Sequence, residues 1–133
     1  VGEVERCLAV GAEPQHISFG NTIKKLEDIA TAYQLGIRLF AFDSENDLNN
    51  ISIAAPGSKV FCRIMTTNTG AALPFLDKFG CSPDMAVKLL IDADKMGLEA
   101  YGLSFHVGSQ QTSVKEWKKA LKSMSLQFDE LNY

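Results

Sequence analysis

Cysteine is scarce in this sequence and offers no pairing pattern. Cys7, Cys62 and Cys81 are odd in number, far apart and without a Cys-x-x-Cys spacing. Neither a disulfide framework nor a zinc site is indicated, no metal is expected, and a reducing cytoplasm is the natural compartment. Long apolar runs are missing as well. No stretch approaches the roughly 20 residues of a membrane span, and no charged-then-apolar signal segment opens the chain. A positive surplus is also absent: 13 Lys and Arg against 16 Asp and Glu leave a net charge of -3, without the basic footprint that DNA or RNA binding needs. The pairs Lys24-Lys25 and Lys118-Lys119 are expected on solvated helix faces. Val1 stands where an initiator Met would, and the first residues read as a helix already under way, which suggests a fragment or a processed chain.

What is present suits a globular domain: 46% hydrophobic and 22% charged residues in a chain of 133. That length can bury a core, although a closed eight-stranded barrel usually takes about 250 residues. Val4, Leu8 and Cys7 recur at helical spacing, and Gly11 is placed to end that helix. A strand is expected around residues 16–19. Asn21 or Thr22 would then cap a helix with Ile23, Leu26, Ile29, Ala30 and Tyr33 on its inner face, stopped by Gly36. A second strand covers 37–42 and exits at Asp43-Ser44, with Ser44 and Asp47 spaced as the cap and third residue of a helix that runs past Leu48, Ile51 and 53–55 to Pro56-Gly57.

The third strand, 59–65, carries Arg63, a charged side chain that needs a partner, a ligand or a route to solvent. Residues 66–70 read as a polar loop. Ser82-Pro83-Asp84 is the clearest helix start, combining a capping serine, proline at the first helical position and an acid in the first turn. That helix is expected to run to Met96 and stop at Gly97. A fourth strand spans 99–105. The last helix begins at Thr112 or Ser113, with Trp117, Leu121, Met124, Leu126, Phe128 and Leu131 as core contacts.

Strands alternating with helices predict an α/β fold, about four βα units on a parallel sheet with right-handed crossovers. Ligands of such sheets lie outside the carboxyl ends of the strands. There Asn21, Asp43, Ser44, Arg63, His106 and Ser109 would share one face. His106, Gly108 and Ser109 offer a titratable ring, a backbone open to close approach and a hydroxyl beside amide donors, a set able to hold a phosphate. A hydrogen-bonded structural histidine at a strand end is the plainer alternative.

Five segments, Ser18-Phe-Gly-Asn-Thr-Ile-Lys24, Phe40-Ala-Phe-Asp-Ser-Glu45, Val60-Phe-Cys-Arg-Ile64, Lys78-Phe-Gly80 and Leu103-Ser-Phe-His-Val-Gly-Ser-Gln110, stand in the order found in pyridoxal-phosphate-dependent ornithine/lysine decarboxylases. The chain resembles that family, which belongs with diaminopimelate and arginine decarboxylases to the alanine-racemase-like barrels, over nearly its whole length. The resemblance implies part of a (β/α)8 TIM barrel that binds pyridoxal 5'-phosphate, with the family's C-terminal β-domain absent.

It also implies roles. His106 would lie against the cofactor ring as the catalytic residue, Ser109 would hold the phosphate with Gly108 allowing close approach, and Arg63 and Glu3 would line the cofactor site. Lys78 resembles a lysine near the dimer and active-site rim. The family's cofactor-bonding lysine sits on a strand upstream of the matching segment, and none of the lysines here occupies its motif. The polypeptide alone is therefore expected to be inactive.

The implied activity is decarboxylation of a basic amino acid, ornithine or lysine, to a diamine for polyamine synthesis, in a cytoplasmic homodimer. Alternatives are a diaminopimelate or arginine decarboxylase, an amino-acid racemase or cofactor carrier on the same barrel, and a non-catalytic open-sheet binding domain. The last is disfavoured by the lack of a glycine-rich phosphate loop after the first strand. Four βα units cannot close a barrel, so self-association is expected to cover the exposed sheet.

Overall fold

The computed structural model describes residues 1–66 and 78–131. Helix α1 (Gly2–Ala9) turns Val4 into the core, with Leu8 packed at its margin. Cys7 faces solvent. At Gly11 the backbone takes a φ of 91°, the left-handed turn that ends the helix.

The first expected strand is nearly lost. Pro14–His16 forms a 3-10 turn, and strand pairing shrinks to Phe19, which bridges Phe40 in parallel. Its N–H donates to the Leu39 carbonyl at 2.8 Å, and its own carbonyl accepts the Ala41 N–H at 2.9 Å. The 3-10 turn that Pro14 opens takes in His16, and the Ile17 N–H donates back to the Pro14 carbonyl rather than across to a strand.

Helix α2 (Leu26–Gln34) starts later than the capping residues predicted, after Lys25 and without a side-chain cap. Asn21 instead closes a local turn, its Oδ1 accepting the Ile23 N–H at 3.2 Å. Ile23 thus falls outside the helix and is 69% exposed, and the buried face is Ile29 and Ala32.

Strands β1 (Leu39–Phe42), β2 (Lys59–Arg63) and β3 (Glu99–Ser104) form a parallel sheet in the order β1-β2-β3. Between them run α3 (Glu45–Ala54) and α4 (Pro83–Lys95), and α5 (Val114–Leu131) follows β3. The two helix starts with the best sequence signals form as expected: Ser44 Oγ accepts the Asp47 N–H and Ser82 Oγ the Met85 N–H, each at 3.3 Å. In β1 Phe40, Ala41 and Phe42 are all buried, while β2 alternates, with Val60 and Cys62 in the core. Phe40 pairs with Val60 and Phe42 with Cys62, so these four share the covered face, joined there by Leu48 and Ile51 of α3 and Leu89 of α4. The register sets Arg63 beside Ser104.

On α5 the expected core face is displaced. Trp117, Leu121, Leu126 and Phe128 are 42% to 56% exposed, and the buried positions are Glu116, Ala120 and Gln127. Those residues, with Met124 and Leu131 at the core margin, follow a helical stripe one position away from the most apolar one. Part of the expected 66–70 loop, residues 67–70, lies outside the described residues.

Candidate functional site

All three strands point the same way, so their exits lie at one end of the sheet. The β1 exit is Asp43. Its Oδ2 accepts the Gly80 N–H at 2.7 Å, tying the segment before α4 to the end of β1. Gly80 has a φ of 95°, and a Cβ there would stand 2.7 Å from the Met65 nitrogen and 2.8 Å from the Ile64 carbonyl carbon. Only glycine fits, in conformation and in space. Cys81 then continues beside the end of β2: its N–H donates to the Arg63 carbonyl and its carbonyl accepts the Met65 N–H, both at 2.9 Å.

Arg63 is half-buried, its guanidinium carbon 5.2 Å from the centre of the Phe79 ring. This is a cation–π placement that answers the question of where the strand's charge goes. On the other flank, Thr66 Oγ1 donates to the His106 carbonyl at 2.6 Å, linking the β2 exit to the loop after β3.

That loop holds the densest set of predicted residues. The Gly108 N–H donates to His106 Nδ1 at 2.9 Å, which leaves Nε2 to carry the hydrogen of a neutral ring. The His106 ring is exposed, whereas Val107 and Gly108 are buried. Positive φ at Gly108 (93°) and at Gln110 (54°) curls the backbone. Gln111 pins the curl, its Nε2 donating to the Val107 carbonyl at 3.2 Å and its Oε1 accepting the Ser113 N–H at 3.0 Å. Residues 106–111 and Trp117 line a cavity of about 620 Å³. Trp117 closes one side, its ring edge-on to Phe105 at 6.0 Å. His106, Gly108 and Ser109 are thus brought together.

Glu3 is elsewhere. It is exposed on α1 and lines a smaller cavity of about 330 Å³ with residues 17–21. That cavity lies by the Phe19 edge, about three strand spacings, roughly 14 Å, from β3. Lys78 is exposed. Ser44 serves as a helix cap, and Asn21 makes its local turn.

Lys24, expected on a solvated helix face, is instead buried. The Lys24 ammonium is buried against Asp47, donating also to the carbonyls of Ala41 and of Asn21, the latter at 2.8 Å. Burial pushes the Lys24 pKa down, against the hydrogen bond and charge of Asp47. Burial likewise raises that of Asp47, against Lys24. The available signal was Asp47 itself, an acid at a helical position facing inward beside buried Leu48. Lys25, next in sequence, is the solvated one. No group of three or more metal-ligating side chains occurs among the described residues.

A family sequence model described as pyridoxal-dependent decarboxylase, pyridoxal binding domain, matches residues 1–133. The lysine/ornithine decarboxylase of Selenomonas ruminantium is 33% identical over 129 residues, 97% of this chain and 33% of that protein. The arginine decarboxylase of Paramecium bursaria Chlorella virus superposes with a TM-score of 0.92 at 32% identity, covering 98% of this chain and 35% of the other. SrLDC, solved in complex with PLP and cadaverine, superposes with a TM-score of 0.86 at 32% identity over 97% of this chain and 32% of its own. The chain spans about a third of the length of the relatives it matches, and its α/β sheet corresponds to the N-terminal part of their TIM barrels. By sequence and by fold, this chain belongs to the pyridoxal-dependent decarboxylases, its residues 1–133 matching their pyridoxal-binding domain.

Proposed function

We propose that this chain supplies part of the cofactor site of an enzyme that decarboxylates a basic amino acid, ornithine or lysine, to a diamine and carbon dioxide. The observation that carries the reading is the curled loop 106–111. It sits at the carboxyl end of β3, surrounds a cavity of about 620 Å³ and presents an imidazole, a serine hydroxyl and a glycine backbone. That donor set fits an aromatic ring bearing a phosphate.

Pyridoxal 5'-phosphate, when bound, supplies an electron sink for the pair left behind as the carboxylate departs. The chain's part is to hold and orient it. His106, its Nδ1 occupied by Gly108, offers a fixed ring face for stacking. Ser109 donates to the phosphate, and Gly108 admits the phosphate close to the backbone. Arg63, steadied by Phe79, adds positive charge at the next strand exit, and Glu3 an acid on the far flank. Lys24 is committed to Asp47 and is no candidate for bonding the cofactor.

Trp117, the chain's single tryptophan, borders the cavity and gives the test. Titration of the protein expressed from its own gene with pyridoxal 5'-phosphate is expected to quench a fluorescence signal that disappears in Trp117→Phe. Ser109→Ala is expected to weaken binding about tenfold, the loss of one hydrogen bond to a charged group. Carbon dioxide release from lysine and from ornithine then tests the reaction. Equal binding by wild type and Ser109→Ala sinks the assignment of the site, and a bound cofactor without release from either amino acid sinks the reaction.

We further read the enzyme as a cytoplasmic homodimer serving polyamine synthesis. What supports the compartment is the number and spacing of the cysteines, three, far apart in sequence and without a Cys-x-x-Cys pair, which offer no disulfide framework. Among the described residues no helix is long and apolar enough to cross a membrane.

A further inference from the structure

Cys62 and Cys81, 19 residues apart in sequence, place their sulfurs 3.5 Å from one another. They come from different elements. Cys62 lies on β2 within the core and has no exposed surface, whereas Cys81 keeps 9% exposure at the rim. Cys81 precedes Ser82, the cap of the 13-residue helix α4, and its backbone is bonded on both sides to the end of β2. The third cysteine, Cys7, is exposed on α1.

We propose that Cys62 and Cys81 form a peroxide-sensitive dithiol whose closure to an intramolecular disulfide displaces the backbone joining Arg63 to Asp43. This oxidation site stands independently of the cofactor reading. The two thiols are unequal. Either sulfur of the pair can be the donor, and Cys81 Sγ also donates to the Arg63 carbonyl at 3.7 Å. The hydrogen bond to Cys62 lowers the Cys81 pKa against burial and the Asp43 charge, while the same bond and burial raise that of Cys62. The amino end of α4 adds positive potential beside Cys81. Cys81 is therefore the attacking sulfur and, being at the rim, the one peroxide reaches first.

The chemistry balances with hydrogen peroxide as the two-electron oxidant. The Cys81 thiolate attacks one peroxide oxygen, the O–O bond breaks, and Cys81 becomes a sulfenic acid as hydroxide leaves and is protonated to water. The Cys62 sulfur then attacks the sulfenic sulfur, the S–O bond breaks, and a second water departs with the Cys62 proton. Two thiols and one peroxide yield one disulfide and two waters.

Closing the gap from 3.5 Å to a bond of about 2.0 Å requires Cys81 and Cys62 to approach. Cys81 does not move alone. Its N–H is held by the Arg63 carbonyl, and its neighbour Gly80 is wedged against the Met65 nitrogen while donating to Asp43. Strain at the sulfur pair is thus delivered to the β1 and β2 exits.

The test takes the protein expressed from its own gene, reduces it, and titrates it with hydrogen peroxide. It is then unfolded, alkylated with iodoacetamide, digested and read by mass spectrometry. The expected result is that the peptides bearing Cys62 and Cys81 lose alkylation together, appear as one cross-linked species lighter by two hydrogens, and recover with dithiothreitol, while Cys7 stays alkylated at the same doses. In Cys62→Ala, Cys81 is expected to stop at the sulfenic acid and to be trapped by dimedone. Hydrogen exchange reads the coupling, with the Gly80 amide expected to exchange at least tenfold faster in the oxidised protein. Retention of both thiols at doses that consume Cys7 overturns the dithiol. Oxidation of Cys81 without a cross-link overturns the resolving role of Cys62, and unchanged Gly80 exchange overturns the coupling to Asp43.

Discussion

Gly80 shows how one backbone position can decide a site. Its φ of 95° and the 2.7 Å from a would-be Cβ to the Met65 nitrogen leave no room for any side chain. Gly80→Ala is predicted to cost at least about 2 kcal/mol through strain and clash, measurable as a lower midpoint in urea. A loss under about 0.5 kcal/mol, the range of an ordinary surface change, would show that the turn relaxes freely.

Lys24 and Asp47 make a second prediction, in pH. The Asp47 pKa is raised by burial from its ordinary 3.8, so the folded state holds its proton longer than the unfolded chain. That contribution to stability is present below 3.8 and is lost as pH rises through the folded value. The lowered Lys24 pKa works oppositely: its contribution is present above 10.5 and lost as pH falls through the folded value. The pair is therefore least favourable in the middle of the range. Replacing both, Lys24→Met with Asp47→Leu, is predicted to remove the decline in thermal stability that starts above pH 3.8. Lys24→Met alone, which strands a buried carboxylate, is predicted to cost about 3 kcal/mol or more at neutral pH. Calorimetric scans across pH on the three proteins separate these outcomes, and parallel curves for wild type and double variant would count against the account.

At the scale of elements, caps made the helices legible. Ser82 with Pro83, and Ser44 with Asp47, are written as side chains that satisfy otherwise open backbone N–H groups, and both helices begin where those residues stand. Ser82→Ala is predicted to cost about 1 kcal/mol, whereas Lys25→Ala before uncapped α2 should change stability far less. Chemical denaturation of the two variants makes the comparison, and equal losses would deny the cap its role.

The same local reading failed where tertiary packing ruled. Asn21 and Thr22 look like caps, but Asn21 spends its oxygen on a local turn and α2 starts after Lys25. The strand near Phe19 survives as one bridge because Pro14 begins a turn. On α5, apolar content pointed to Trp117 and Leu121, but the contact with α4 chose the stripe through Ala120. The loop at His106, Gly108 and Ser109 was legible because its residue types are informative without their surroundings. Lys24 was not: a lysine's burial depends on an acid 23 positions away.

For the whole molecule, the sheet β1-β2-β3 gains stability from whatever engages its carboxyl end or the flank beside β3. The flank carries a cavity of about 430 Å³ between α4, β3 and α5, where Tyr101 and Phe128 reach solvent. The carboxyl end carries the loop 106–111. A ligand that binds only the folded state at about 100 times its dissociation constant adds about 2.7 kcal/mol. For a domain of this size that is a rise in Tm of roughly 8–13 °C.

Pyridoxal 5'-phosphate is therefore predicted to raise the melting temperature of the protein by that order. Ser109→Ala at the same concentration is predicted to fall short by about 1.4 kcal/mol, a tenfold weaker site, or roughly 4–7 °C. Pyridoxal without its phosphate supplies the control, because it tests the ring contact with His106 while leaving Ser109 nothing charged to hold. Wild type and Ser109→Ala should then respond alike to pyridoxal and differently to its phosphate ester. A Ser109→Ala protein that matches wild type with both ligands would remove the phosphate from this loop and, with it, the placement of the cofactor at the end of β3.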